Sequence, residues 1–258
     1  MRLLIRCIQN SLPVHFWLPL FGSGFAALGV SLWLCAAGPA SAAPPVPVSE
    51  DEVTRGSSDR PWMALVFNVG AGYEPGLAIL DTLAEKRYQA TFFVMGWWAE
   101  RHPETLGRIA AGGHEIASHG HLVFDLTEAA DDEVRADLQA ADTAIAGVTG
   151  RSTRPLWSPS AGYRDARVRR IAAELGYRPI LWSADSGDWT LTATAEGVYQ
   201  RVMANAGPGA IIVMHFDSSA TVRSTAAVLP RIIDDLREAG YRLVTITDLL
   251  TGGDEPAS

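Results

Sequence analysis

Cysteine is almost absent from this sequence, and the shortage limits the chemistry of the chain. Only two cysteines are present, Cys7 and Cys35, and none follows residue 35. The rest of the chain therefore has no disulfide bond and no thiol nucleophile. Internal repeats are lacking too, and no low-complexity tract occurs outside residues 43–60.

Positive charge is also scarce. The chain has 21 Lys and Arg residues against 29 Asp and Glu residues, which gives a formal net charge of -8. Residues 1–42 contain Arg2 and Arg6 and no acid, so the remainder is more acidic still. Because nucleic acid is a polyanion that proteins bind through Lys and Arg, this balance argues against a nucleic-acid partner.

The amino-terminal segment has the layout of a secretory signal. Arg2 and Arg6 precede an apolar run over residues 16–37, and the small residues 40–42 follow it. We therefore expect a signal peptide over residues 1–42. The apolar run is long enough to span a bilayer, so an uncleaved amino-terminal anchor is the alternative. In both cases we expect an exported protein that is secreted or attached to the cell envelope, with membrane contact only through this segment.

The rest of the chain is sufficient for one sizeable domain, since the sequence has 258 residues of which 48% are apolar and 19% charged. Residues 43–60 mix Pro, Ser and charged residues without periodicity, which predicts a flexible linker. We expect the domain over residues 61–251 and a tail over residues 252–258.

Short apolar runs and helical patterns alternate through this domain. The runs have strand length and cover residues 62–67, 91–95, 115–117, 155–157, 179–183, 210–214 and 241–245. Between them, apolar residues recur at helical spacing in residues 134–145, 168–175 and 229–236. About seven strands with intervening helices predict an α/β fold with a parallel sheet, either an incomplete barrel or an open doubly wound sheet.

Residues of catalytic type cluster where the strands are predicted to end. Asn68, His119, Trp157, Asp185 and His215 each end or directly follow an apolar run. Because the carboxyl ends of parallel strands share one rim, we expect these residues to meet there.

Histidine is concentrated in one stretch of this domain. The stretch from Gly113 to Asp125 holds His114, His119 and His121, and imidazoles serve as metal ligands or proton carriers at neutral pH. This concentration favours a catalytic or metal-binding site, although a polar loop with one satisfied histidine would give the same pattern.

The order of motifs from Pro61 to Leu250 resembles the polysaccharide deacetylase (NodB-homology) family. The resemblance rests on five stretches: Val66–Ala71, Ser118-His119 with Asp125-Leu126, Thr153–Gly162, Leu181–Trp189, and Gly209–His215. It implies a distorted or incomplete (β/α) barrel of about seven strands that removes acetyl groups from N- or O-acetylated polysaccharides. Family members use one Asp and two His to hold a divalent metal, a second Asp as base and a late His as acid.

This sequence departs from the family pattern at the base and metal positions. Asn68 occupies the base position, and Val69 and Val123 occupy two of the three metal-ligand positions. An amide cannot deprotonate water and a valine cannot bind a metal, so only His119 remains of the three ligands. The resemblance implies zinc, yet the site is incomplete unless His121 or Glu74 supplies a replacement ligand.

The remaining roles follow from the resemblance. It implies that His215 is the acid and that Asp185 or Asp188 orients and charges it. Arg154 matches the arginine that orients the catalytic Asp, and Arg164 is the competing candidate. Three aromatic residues are candidate substrate-binding residues: Trp157, Tyr163 and Trp189.

Three hypotheses of different classes remain open. The chain is a divergent hydrolase of acetylated envelope glycans, a catalytically silent carbohydrate-binding protein, or an envelope scaffold with a relic cleft. Under the second hypothesis Trp157 and Trp189, together with Trp97 and Trp98, stack on sugar rings. The partner expected under the first two is an acetylated polysaccharide or peptidoglycan.

Overall fold

The computed structural model describes residues 45–72 and 76–253. The predicted signal or anchor over residues 1–42 and the end of the predicted tail lie outside the described residues. Within the described ranges, none of the helices is both long and apolar enough to cross a membrane.

The domain is built on a curled parallel sheet. Its strands are β1 (Trp62–Val69), β2 (Thr91–Val94), β3 (Glu115–Ser118), β4 (Leu156–Trp157), β5 (Arg178–Pro179), β6 (Ala184–Asp185), β7 (Ile211–His215) and β8 (Arg242–Leu243). Seven strands follow the order β5-β4-β3-β2-β1-β7-β6, and β8 pairs with the amino end of β1. All strand pairs are parallel. The predicted incomplete (β/α) barrel is confirmed.

Helices cover the sheet. They are α1 (Leu77–Glu85), α2 (Gly96–Arg101), α3 (Pro103–Ala111), α4 (Asp131–Thr149), α5 (Ala166–Glu174), α6 (Ala195–Ala204), α7 (Ser219–Arg223), α8 (Thr225–Glu238) and α9 (Ile246–Thr251). A short 3-10 turn, Ser160–Gly162, follows β4. The three predicted helical patterns fall in α4, α5 and α8, and their apolar residues are mostly buried.

The central strands are buried on both faces. All eight residues of β1 are buried, and their sequence WMALVFNV is a nearly continuous apolar run. Such runs are typical of parallel strands that are covered on both sides, because alternation is needed only where one face meets water. Side chains of β1 alternate between two core clusters, one on each face of the sheet. The central strands thus form a rigid support for the residues at their carboxyl ends.

Residues 45–60 differ from the predicted flexible linker. Val46 and Val53 are buried in one of the core clusters, and Val53 forms a parallel bridge with Ile180. Nearby, the Glu52 carboxylate accepts hydrogen bonds from Arg164 at 2.9 and 3.2 Å. The packed domain therefore begins before Pro61, because two apolar side chains and an ion pair hold this segment against the sheet.

Candidate functional site

A cavity of about 360 Å³ lies at the carboxyl ends of the strands. Its lining residues are Asn68, Val69, Gly70, Ala71, His119, Val123, Ser160, Ala161, Trp182, Asp185, Trp189, Val213 and His215. Four of the five residues expected at this rim line it. The fifth, Trp157, does not.

Asn68 lines the cavity from β1, an interior strand that lies between β2 and β7. It pairs in register with His215 of β7, and the neighbouring β2 aligns Phe93 with it. Asn68 is 5% exposed, and its Oδ1 is buried without a hydrogen-bond partner among the described residues. Its Nδ2 also has no partner in this part of the chain. An unpaired buried amide is costly, so this side chain is available to a ligand.

His215 is held by the buried carboxylate of Asp188. The His215 Nδ1 lies 2.8 Å from Asp188 Oδ1, and Oδ2 accepts the His215 backbone N–H and the Thr225 hydroxyl. Burial alone would lower the pKa of His215, but the Asp188 hydrogen bond and the nearby charges of Asp188, Asp185 and Asp217 raise it above its ordinary value. The imidazole is therefore biased towards the cation, which presents an Nε2–H donor.

Asp217 supports the site, and the sequence did not reveal it. Its fully buried carboxylate accepts the backbone N–H groups of Gly70, Ala71 and Gly72, which follow β1. Burial raises the pKa of Asp217 to about 6, although these hydrogen bonds act in the opposite direction. The available signal was an acid two residues after His215, but its partners lie 145 to 147 positions away in sequence.

Asp185 and Trp189 form the rim of the cavity. One Asp185 oxygen accepts the Gly187 backbone N–H, and the other accepts the Trp189 indole N–H at 3.2 Å. Trp189 is 53% exposed, so its ring remains accessible while its edge is fixed. The structure therefore divides the two acids: Asp188 orients His215, and Asp185 orients Trp189.

His119 presents an unprotonated nitrogen to the cavity. It is 6% exposed, and its Nδ1 lies 2.8 Å from the carbonyl oxygen of Ser158. Because a carbonyl only accepts, Nδ1 carries the proton and Nε2 keeps its lone pair. Burial, together with the charge of His215, lowers the pKa of His119 to about 4, against the opposing effect of the Ser158 carbonyl. His119 is thus neutral at physiological pH.

The residues present do not fit the zinc that the sequence resemblance implied. Val69 and Val123 line the cavity beside His119, and valine offers no donor atom. The His121 ring packs against Gly96 of α2, where an added Cβ would lie 2.2 Å from its Nδ1. Over residues 45–72 and 76–253, no group of three or more His, Cys, Asp or Glu side chains is placed to hold a metal. The other proposed replacement, Glu74, lies outside the described residues.

The aromatic predictions need correction. Trp157 and Trp98 are fully buried, since β4 turns Trp157 into a cluster with α5 and Trp98 lies in the main core. Trp97 is partly buried and packs on the same core as Trp98. Tyr163 is 42% exposed but is not among the residues that line the cavity. Trp189 and Trp182 are the tryptophans that line it.

Neither candidate arginine contacts Asn68. Arg154 pairs with Asp142 and donates to the carbonyl oxygen of Leu175 at 2.6 Å. Arg164 pairs with Glu52. Both guanidinium groups are therefore engaged in structural contacts, and an arginine beside a neutral amide would gain no ion pair.

Comparison with known proteins places this arrangement in context. Residues 55–180 match the family described as Polysaccharide deacetylase. The chain is 30% identical to the peptidoglycan-N-acetylmuramic acid deacetylase PdaA of Bacillus subtilis over 183 residues, or 69% of this chain and 68% of that protein. It is 31% identical to the chitooligosaccharide deacetylase of Sinorhizobium fredii over 199 residues, or 73% of this chain and 92% of that protein. It is also 30% identical over 202 residues to the uncharacterized protein YlxY of Bacillus subtilis, covering 78% of this chain and spanning 60% of YlxY.

Solved structures include a similar protein described as a pseudoenzyme. BA3943 from Bacillus anthracis, described as a CE4 family pseudoenzyme, matches with a TM-score of 0.72 at 29% identity, over 78% of this chain and 69% of that chain. A BA3943 mutant described as having restored enzymatic activity matches with a TM-score of 0.72 at 28% identity, over 78% and 71% of the two chains.

Proposed function

Because this chain belongs to the polysaccharide deacetylase family, we propose that it binds acetylated glycans in the cavity at the carboxyl ends of its strands, without metal-dependent hydrolysis. One observation carries the proposal. Val69 and Val123 line the cavity beside His119, where the family resemblance expects metal ligands. A single imidazole does not make a catalytic zinc site, which normally has three protein ligands.

The absence of a general base also supports binding without hydrolysis. Asn68 stands where the resemblance expects a carboxylate, and an amide does not accept a proton from water near neutral pH. Loss of a general base typically lowers the rate by about 10²- to 10⁴-fold. Without metal activation as well, attack of water on the acetyl carbonyl has no assistance.

The cavity itself suits a small acetylated ligand group. Its walls combine apolar side chains, among them Val69, Val123 and Val213, with a few convergent polar groups. At the rim, the accessible ring of Trp189 offers a stacking surface for a sugar, and Asp185 fixes the orientation of that ring.

The glycan class comes from the relatives. PdaA is a peptidoglycan deacetylase and the Sinorhizobium fredii relative is a chitooligosaccharide deacetylase. We therefore infer an acetylated polysaccharide of the cell envelope as the ligand. The amino-terminal Arg residues and apolar run support export of this domain, either secreted or attached to the envelope. Full-length protein found soluble in the cytoplasm after fractionation would contradict export.

Slow hydrolysis is the second candidate function. The observation that favours it is the intact Asp188–His215 pair, which keeps a proton donor at the cavity. A donor alone protonates the leaving group but does not assist nucleophilic attack. We therefore expect very slow acetate release or none.

The test measures binding and turnover separately. Calorimetry with chitooligosaccharides and peptidoglycan fragments, and acetate release from the same ligands, are measured for wild type, His215→Ala and Trp189→Ala. The matched control is Tyr163→Ala, since Tyr163 is exposed but outside the cavity lining. We expect binding that Trp189→Ala weakens and Tyr163→Ala does not, with no acetate released.

The other outcomes separate the rival functions. Acetate release that His215→Ala abolishes would favour the slow hydrolase. Wild type that neither binds nor releases acetate would refute both and leave the envelope scaffold. Stoichiometric zinc in the purified domain, measured by elemental emission after dialysis against zinc, would show that other residues have rebuilt a metal site.

A further inference from the structure

Two polar side chains in the candidate cavity have polar atoms without partners although both residues are more than nine-tenths buried. Asn68 is 5% exposed and His119 is 6% exposed. Asn68 makes no side-chain hydrogen bond to the described residues, and His119 uses only its Nδ1. Buried polar groups are normally paired, so the pattern of free donors and acceptors indicates what the cavity receives.

His119 offers an acceptor in an otherwise apolar part of the cavity. The Ser158 carbonyl fixes the proton on Nδ1, which leaves a lone pair on Nε2. Its cavity neighbours Val69 and Val123 offer neither donors nor acceptors. A ligand that fills the cavity must therefore supply an N–H or O–H to Nε2, or leave it unpaired.

The donors in the cavity come from different residues. The Asn68 Nδ2 has no partner among the described residues, and His215 has its Nδ1 committed to Asp188, which leaves Nε2 for a ligand. A carbonyl oxygen pairs with either donor. The cavity thus offers hydrogen-bond donors, two acceptors without partners among the described residues, Asn68 Oδ1 and His119 Nε2, and an apolar wall.

We propose that His119 accepts a hydrogen bond from the N–H of an acetamido group, and that it makes the cavity selective for N-acetylated over O-acetylated sugars. The carbonyl oxygen of the group then accepts from Asn68 or His215, and its methyl packs on the exposed side chain of Val123. An acetate ester has the same shape but carries an oxygen where the amide has N–H. The lone pairs of that oxygen would face the lone pair of His119 Nε2. This inference rests on the proposed function, because it assumes that the cavity holds an acetyl group.

The expected selectivity follows from leaving a buried acceptor unpaired. Such a loss corresponds to about tenfold to a hundredfold in affinity. The matched ligands are N,N′,N″-triacetylchitotriose, called chitotriose below, and cellotriose acetylated at O2 of each ring. At the position that faces His119 Nε2 they differ only by N–H against oxygen. Calorimetry is done in the presence of EDTA, so that a metal bridge does not contribute.

The variant His119→Phe keeps a planar ring and removes the acceptor. We expect it to weaken chitotriose binding by about tenfold or more while changing the affinity for the ester by less than about twofold. The matched control is His114→Phe. Burial also lowers the pKa of His114 to about 4, but its Nδ1 accepts from Ala90 N–H and it is not in the cavity lining.

A spectroscopic measurement on wild type covers the case in which His119→Phe does not fold. The nitrogen-15 resonance of the unprotonated His119 Nε2 should move upfield when chitotriose is added, and not when the ester is added. Equal affinity of wild type for the two ligands, or an unmoved resonance on chitotriose binding, would overturn the selectivity while leaving the proposed function intact. Binding of neither ligand would overturn the proposed function itself.

Discussion

Rebuilding the lost metal ligands gives the most direct test of the site. The variant Val69→Asp with Val123→His returns carboxylate and imidazole to positions beside His119 in the cavity. We expect it to bind zinc tightly, and wild type to bind zinc weakly or not at all, because only the variant has three donors.

The size of the effect follows from burial. Val69 is fully buried, and an uncompensated charge at such a position costs about 3–5 kcal/mol. For a domain of this size 1 kcal/mol corresponds to about 2–4 °C, so the metal-free variant should melt about 6–20 °C below wild type. Zinc at a thousand times its Kd adds about 4 kcal/mol, which raises the melting temperature by about 8–16 °C.

Calorimetric unfolding with zinc and with EDTA measures both effects. A matched control, Val69→Asn with Val123→Phe, introduces similar volumes without metal ligands and should show no zinc-dependent shift. Adding Asn68→Asp to the rebuilt variant should raise acetate release by about 10²- to 10⁴-fold over the two-residue variant. A wild type that zinc stabilises, or a rebuilt variant that zinc leaves unchanged, would refute our interpretation of Val69 and Val123.

Three further predictions concern the groups that support the site. Asp188→Asn should lower the pKa of His215 relative to wild type, because the carboxylate raises it; proton NMR titration checks this, and an unchanged pKa would contradict the assignment. Asp217 contributes stability that is present below pH 3.8 and lost as pH rises through about 6. Between pH 7 and pH 3.5, the free energy of unfolding of wild type, measured with urea, should therefore rise by about 3 kcal/mol relative to that of Asp217→Asn. Parallel plots of this free energy against pH for the two proteins would exclude a pKa of about 6. A chain starting at Pro61 loses buried Val46 and Val53, so its free energy of unfolding should fall by at least about 3 kcal/mol relative to a chain starting at residue 45; equal stability would restore the linker interpretation.

The sequence was informative where a pattern repeats along the chain. The apolar runs predicted the parallel sheet because a strand buried on both faces needs apolar residues at nearly every position, as β1 shows. The rim was predictable for the same reason, since the carboxyl ends of parallel strands converge whatever their order. Asn68, His119, Asp185 and His215 accordingly line one cavity.

The sequence did not predict the direction in which individual side chains point. Trp157 ends a strand as His119 follows one, yet β4 has only two residues and its register turns Trp157 into the core under α5. A shift of one residue in a strand reverses the face of every side chain, so two residues give too short a pattern to fix it. His119 and His121 differ similarly: the first faces the cavity and the second packs on Gly96.

Long-range partners were equally hidden. Asp217 bonds the loop after β1 only because β7 lies beside β1 in the sheet, a neighbour relation that separates them by more than 140 positions in sequence. The fixed position of the loop that carries Gly70 to Gly72 therefore depends on the order of the strands. Nothing local to Asp217 distinguishes it from a surface acid.

The survival of the acid half of the site has a structural explanation that does not require turnover. Asp188 accepts the backbone N–H of His215 and the hydroxyl of Thr225, so its removal would leave donors unpaired at the end of β7 and at the start of α8. Among the described residues, the side chains of Asn68, Val69 and Val123 make no hydrogen bond. In a site without metal, a carboxylate at position 69 would be a buried, uncompensated charge, whereas Val69 adds apolar burial. Stability thus favours keeping Asp188 and an apolar residue at position 69, and the intact Asp188–His215 pair is not by itself evidence of catalysis.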